Sequence, residues 1–162
     1  MDATDRQIIA ILQQNARTPN AEIARRIGMA PSAVFERIRK LEERGVIAGY
    51  QARLDARAVG LPLVAFVFVR TVEPPGGCDA AARLAALPSV QEVHHIAGED
   101  CYLVKVRAAD TEALGRLLRE EFGAVPTIQT TRTTIVLGTI KETSELPLQA
   151  AAAEAESEAV HA

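Results

Sequence analysis

The sequence predicts an α+β protein in two parts, a helical N-terminal domain built on a helix-turn-helix and a C-terminal sheet domain carrying two helices. Three observations predict it. Residues 23–41, IARRIGMAPSAVFERIRKL, place a short apolar helix, a glycine and a proline-led helix in direct succession. Apolar spacing changes from period 3.6 to period 2 after Gly45. From Leu63 onward the apolar segments run β-α-β-β-α-β, the split βαβ or ferredoxin-like order.

The head is punctuated helix by helix. Asp2 and Asp5 stand where a cap and a first-turn acid favour a helix start, and Ile8, Ile9 and Leu12 give that helix an apolar stripe. Residues 15–18 end it. Thr18 is expected to cap the second helix with Pro19 at its first position, Ile23, Ala24 and Ile27 facing inward, and Gly28 supplying a left-handed turn. The third helix starts at Pro31. Its Val34, Ile38 and Leu41 recur at i, i+4 and i+7 and turn inward, which leaves Ala33, Glu36, Arg37 and Lys40 on a free surface.

Those residue types suit a DNA groove. Small Ser32 and Ala33 allow close approach to base edges, Arg37, Arg39 and Lys40 reach bases or phosphates, and the helix N-terminal amides can bind a phosphate. A basic helix taken alone is better explained by a solvated face; the short helix, glycine and proline-led start that precede it reverse that preference in favour of DNA. The charge distribution agrees. The chain carries a net charge of −3, yet residues 1–45 hold eight cationic side chains against six acids, a balance of +2, which leaves −5 for the remainder. A basic head and an acidic body result.

Residues 46–54 read as an extended strand leaving the head, and 55–62, with Gly60 and Pro62, as a hinge. The first sheet strand, Leu63 to Arg70, is apolar on both alternating faces, so both must be covered. A Pro-Pro-Gly-Gly loop at 74–77, an Ala/Leu helix to Leu87, strands near 90–97 and 101–108, a helix near 111–122 and a last strand at 127–140 follow. Two helices cover one face of such a sheet. A second copy of the chain is the economical cover for the other, and paired recognition helices would then meet successive major grooves of a pseudo-palindromic site. The parts are thus 1–50 for the head, 51–62 for the hinge, 63–142 for the sheet domain and 143–162 for an Ala/Glu-rich tail with little to bury, expected to be frayed or flexible.

Composition excludes other classes. With 162 residues and 48% hydrophobic content, the chain can bury one ordinary core or two small ones. No apolar run approaches the ~20 residues that span a bilayer, and the polar, acidic start is unlike a signal peptide, so a cytoplasmic protein without a membrane partner is expected. Cys78 and Cys101 lack CxxC spacing and read as free thiols; adjacent His94 and His95 would point to opposite faces of a strand, so no metal and no cofactor are expected. An enzymatic use of Asp100 with His94 or His95 as an acid/base pair remains open, although no nucleophile motif, phosphate loop or metal cluster supports it.

Several ordered blocks resemble one family. These are Asp5-Arg6-Gln7-Ile8, Gln14-Asn15-Ala16-Arg17, the helix-turn-helix running into Arg37-Ile38-Arg39-Lys40-Leu41-Glu42, Gly45-Val46-Ile47-Ala48-Gly49-Tyr50, Ala97-Gly98-Glu99-Asp100-Cys101-Tyr102, and Thr133-Thr134-Ile135-Val136-Leu137 with Ile140-Lys141-Glu142. Together, from Asp2 to about Glu142, the chain resembles the leucine-responsive and asparagine-responsive (Lrp/AsnC) transcription regulators of bacteria and archaea.

The resemblance implies a winged-type helix-turn-helix head, an extended hinge and a ligand-sensing αβ sandwich that dimerises through its sheet, with dimers assembling into octamers. It further implies a small amino-acid effector held between dimers, and matches the ligand positions to Gly98, Glu99, Asp100, Tyr102, Thr131, Thr133 and Thr134. The chemistry suits such an effector. Gly98 permits close backbone approach, Asp100 can accept from an α-ammonium, and threonine hydroxyls can donate to a carboxylate. A plain hairpin turn at 98–100 and ordinary strand threonines are the structural alternative. The chain departs from the family where Ala30 replaces a capping Ser, a loss of about 0.5–2 kcal/mol that Pro31 offsets in part. That departure also keeps open a ligand-binding module whose head no longer binds DNA.

Overall fold

The computed structural model describes residues 1–73 and 77–148, which form two compact units, Met1–Arg53 with the segment from Glu142, and Leu54–Lys141.

In the first unit, α1 (Ala3–Gln14), α2 (Asn20–Ile27) and α3 (Pro31–Glu43) surround one apolar cluster. The start of α1 is a full capping box: the Asp2 carboxylate accepts from Asp5 N at 2.8 Å, and the Asp5 carboxylate accepts from Asp2 N at 3.2 Å. The inward stripe of α1 is Ile8 and Leu12 with Ile11 packed on their flank in place of the expected Ile9, which is half-buried. It meets Ile23 and Ala24 of α2 and Val34 and Ile38 of α3. Gly28 ends α2 at φ 69°, a left-handed conformation that costs other residues about 1–2 kcal/mol.

At three places the local structure differs from the expectation. Pro19, not Thr18, is the N-cap of α2, and the Thr18 hydroxyl donates instead to Asn15 O at 2.8 Å, closing the turn after α1. Residues 46–54 form no strand, because strand geometry needs a ladder partner and these backbone groups have none among the described residues; Tyr50 instead donates its hydroxyl to Glu42 of α3 at 2.8 Å. The tail expected to fray from residue 143 is held at its start: Leu146 N donates to Gln13 Oε1 at 2.8 Å, and Gln13 Nε2 donates to Leu146 O at 3.2 Å. The rest of that tail, 149–162, and most of the Pro-Pro-Gly-Gly loop, 74–76, lie outside the described residues.

The second unit is β1 (Leu63–Thr71), α4 (Asp79–Ala85), β2 (Val90–His95), β3 (Tyr102–Ala108), α5 (Thr111–Arg116) and β4 (Ile128–Ile135), with α5 continuing as a π-helical segment over Leu117–Phe122. The sheet order is β2-β3-β1-β4, all pairs antiparallel. This is the expected βαββαβ order. The last strand is shorter than the expected 127–140, ending at Ile135 beside Ala65, with one further bond from Val136 N to Val64 O at 2.9 Å near the start of β1.

Period-2 alternation decides which residues go where. Ala65, Val67 and Val69 of β1 and Tyr102, Val104 and Val106 of β3 point to one face, where Ala80 and Leu84 of α4 and Leu114, Leu117 and Phe122 bury them. Phe66, Phe68, Leu103 and Lys105 point to the other, and no element of the described residues covers it. Its polar margin carries the Lys105–Glu92 ion pair at 3.0 Å and a His94–Glu92 side-chain contact at 3.2 Å, while Arg132 of β4 lies 4.0 Å over the Phe68 ring.

Candidate nucleic-acid interface and ligand-sensing surface

The α2–turn–α3 unit begins both of its helices without a side-chain cap. Pro19 and Ala30 occupy the two N-cap positions, and neither offers an acceptor. By contrast α1 and α5 are capped by Asp2 and Asp110. Glu22 N and Ala33 N already donate to Pro19 O and Ala30 O at 2.9 and 3.0 Å, and Pro31 carries no N–H, so the first-turn amides open to an external anion such as a DNA phosphate are those of Asn20, Ala21 and Ser32.

On α3, Val34, Ile38 and Leu41 are buried, and Ser32, Glu36, Arg39 and Lys40 are exposed on the opposite side. Ala33 is half-buried at the border. The three cations of this helix have different fates. Arg39 is bonded within its own helix, to Glu43 at 2.6 Å and Glu36 at 2.9 Å. Arg37 does not belong to the free surface on which its spacing placed it. It lies only about 70° from the centre of the buried stripe, at about 100° per residue, and its Nη1 reaches across to the Asp2 and Asp5 carboxylates, 2.7 Å from each. Asp5 is the one buried charged residue among those described, so the pair ties α3 to the start of α1. The cluster depresses the Asp2 carboxyl below its ordinary value of 3.8, first through the Asp5 amide and then through Arg37. Lys40 alone among the three has no carboxylate partner in the described residues.

One exposed residue of α3 escaped the sequence analysis. Phe35 is 53% exposed beside buried Val34. Its apolar character does not suggest a groove contact; only its position, about 100° around the helix from Val34 and so outside the buried stripe, could have marked it.

In the second unit the turn between β2 and β3 is fastened to the sheet. Arg70 of β1 donates to Glu99 O at 3.0 Å and Arg132 of β4 donates to Asp100 at 3.1 Å, both from the uncovered face. Gly98 has φ 138° with open space where a Cβ would stand, so its backbone conformation, not crowding, demands glycine. Thr134 shares the uncovered face, paired with Phe66. Thr131 and Thr133 pair with Val69 and Val67 and therefore point to the helix-covered face, Thr131 exposed and Thr133 half-buried. Tyr102 is on that face too, but it is a core residue at 5% exposure, with its hydroxyl 3.5 Å from Gly77 O. The residues matched to a ligand site thus divide between two faces of the sheet edge. His94 and His95 diverge, His94 toward Glu92 and His95 against the Tyr102 ring at 5.3 Å, and no group of His, Cys, Asp and Glu among the described residues could hold a metal ion.

Comparison with known proteins addresses both units. Residues 1–42 match the AsnC-type helix-turn-helix domain, and residues 64–146 match the Lrp/AsnC ligand binding domain. The helix-turn-helix transcriptional regulator FL11 of Pyrococcus horikoshii is 39% identical over 149 residues, 92% of this chain and 97% of that protein. The leucine-responsive regulatory protein of Escherichia coli K12 is 33% identical over 92% of each chain. Among solved structures, a transcriptional regulator of Neisseria meningitidis in complex with L-methionine superposes with a TM-score of 0.88 at 30% identity, covering 93% of this chain and 99% of that one. A feast or famine regulatory protein of Mycobacterium tuberculosis, also complexed with L-methionine, gives 0.82 at 37% identity over 90% and 97%. Two family matches in sequence order, and relatives aligned over nearly their whole length, lead to one statement: the chain belongs to the Lrp/AsnC family of transcription regulators.

Proposed function

We propose that this chain is a sequence-specific DNA-binding regulator that acts as a sheet-paired dimer, associating further toward an octamer, and that a small amino acid alters its assembly or its affinity for DNA. The observation that carries the DNA half is the uncapped α2–turn–α3 unit with Lys40 and Ser32 on its open surface. Ala33, Glu36 and Arg39 border that surface, and Arg37 supports it from behind. Two such heads would engage two half-sites, which turns two weak contacts into one specific one.

The sheet half rests on the uncovered face around Phe66, Phe68 and Leu103, whose apolar surface a second copy would remove from water. The amino-acid effector is inferred from the L-methionine complexes of two relatives. Within this chain the Glu99 carbonyl and Asp100 meet arginines of the uncovered face, which Thr134 shares, while Tyr102, Thr131 and Thr133 lie on the helix-covered face. A site drawing on both groups needs a second protomer to bridge them, which supports placement of the effector between copies.

The test is a gel shift on the DNA upstream of the chain's own gene, repeated with a panel of amino acids, alongside light scattering of the free protein. Retention that one amino acid strengthens or weakens, from a species no smaller than a dimer, is the expected outcome. A monomer, or no retention at low salt, would overturn it.

A further inference from the structure

We propose that Phe35 reads DNA directly, by packing its ring against a thymine 5-methyl group in the major groove, and so gives this chain a preference for thymine at one position of each half-site. The inference rests on the DNA-binding function proposed above.

The polar base readers of α3 are largely committed elsewhere. Arg37 is bound to Asp2 and Asp5, and Arg39 together with Glu36 and Glu43 forms a closed set of ion pairs along the helix. Among the large side chains in the first two turns, Phe35 is left exposed and without a partner, 53% open to solvent. It shares its side of the helix with Ser32, three residues before, and Arg39, four after, and both are exposed. That side adjoins the N-terminal end of α3, which Ala30 leaves uncapped. A phosphate received there by the Ser32 amide, the one first-turn N–H of α3 without a backbone acceptor, would set the first turns of α3 against the groove, the part of a recognition helix that contacts base edges.

Thymine is the base that fits an aromatic side chain. It alone presents a methyl group in the major groove, and apolar contact with that methyl is an established mode of direct readout. A phenyl ring offers no hydrogen bond to the other bases. The solvent-exposed ring of the free protein becomes buried when the contact forms, and the burial of one methyl is worth about fourfold in affinity.

The operator is obtained by selection. Duplexes are drawn from a random-sequence pool by the wild-type full-length chain, and in the selected duplex each thymine is replaced in turn by deoxyuridine, which removes only the methyl. Wild type should lose about fourfold per half-site at one symmetric position and little at the others. Phe35→Ala should bind the parent duplex more weakly by at least that factor and be indifferent to deoxyuridine there, while Phe35→Leu should keep part of the sensitivity. Circular dichroism melting of both variants should match wild type. A wild-type protein indifferent to every methyl, or a Phe35→Ala protein as methyl-sensitive as wild type, overturns the assignment while leaving DNA binding intact. Phe35→Ala changing the oligomeric state with no methyl effect would place the ring against a second copy instead. Failure to select any duplex would remove the DNA-binding proposal and this one with it.

Discussion

Lys40→Ala offers the cleanest measure of how the head meets DNA. Among the cations within α3, Arg37 and Arg39 are neutralised by carboxylates at 2.6–2.9 Å, whereas Lys40 has no such partner in the described residues. Each phosphate that a free cation neutralises releases about 0.9 counterion, so a dimer that loses two Lys40 contacts should show a slope of log K against log salt shallower by about 1.8. Between about 50 and about 200 mM salt this changes the wild-type to variant affinity ratio about 12-fold, with the larger defect at low salt. The assay is fluorescence anisotropy on one duplex across that salt range, with thermal melting as control, since an exposed and unpaired lysine should leave the melting temperature unchanged. Equal slopes for wild type and Lys40→Ala would refute the assignment of Lys40 to phosphate.

Arg37→Ala should lower the melting temperature of the head and weaken DNA binding only in proportion, because the guanidinium joins α3 to Asp2 and Asp5; unchanged melting with lost DNA affinity would return Arg37 to the DNA surface. The Asp2 carboxyl is depressed in the folded head, so its contribution is present above about pH 4 and lost as pH falls through the depressed value; Asp2→Asn should flatten acid unfolding monitored by circular dichroism in that window. Gly28→Ala should destabilise the head by about 1–2 kcal/mol through φ 69° alone, since open space surrounds the position, and a denaturant melt with an unchanged midpoint would contradict this. Phe68→Asp should convert the proposed dimer to monomer in sedimentation, because the ring lies under Arg132 on the uncovered sheet face.

The sequence carried the periodic features of this fold plainly. Ile23, Val34 and Ile38, with Gly28 and Pro31 between and before them, spell the helix-turn-helix because each acts within a few residues of its neighbours. The alternation in Leu63–Thr71 likewise announced a strand with two apolar faces. What stayed hidden depends on distance along the chain. The partners of Arg37 lie 32 and 35 residues away, and Leu146 meets Gln13 across 133 residues, so charge pattern and composition could assign both only to solvent. The 46–54 segment failed for a related reason, since β-propensity gives no ladder without a partner. At the ligand surface, the motif around Gly98 and the threonines of β4 was legible as residue types, but the even–odd register that sends Thr134 to one face and Thr133 to the other is fixed by pairing with Phe66 and Val67.

In the proposed function one chain couples amino-acid binding to DNA binding. The most direct measurement is the affinity of the full-length chain for a selected duplex, by anisotropy, without and with each amino acid of a panel that includes L-methionine. At least one amino acid should change the dissociation constant by about 5- to 150-fold, the usual range of allosteric coupling. A tight DNA complex indifferent to every amino acid at millimolar concentration would contradict it.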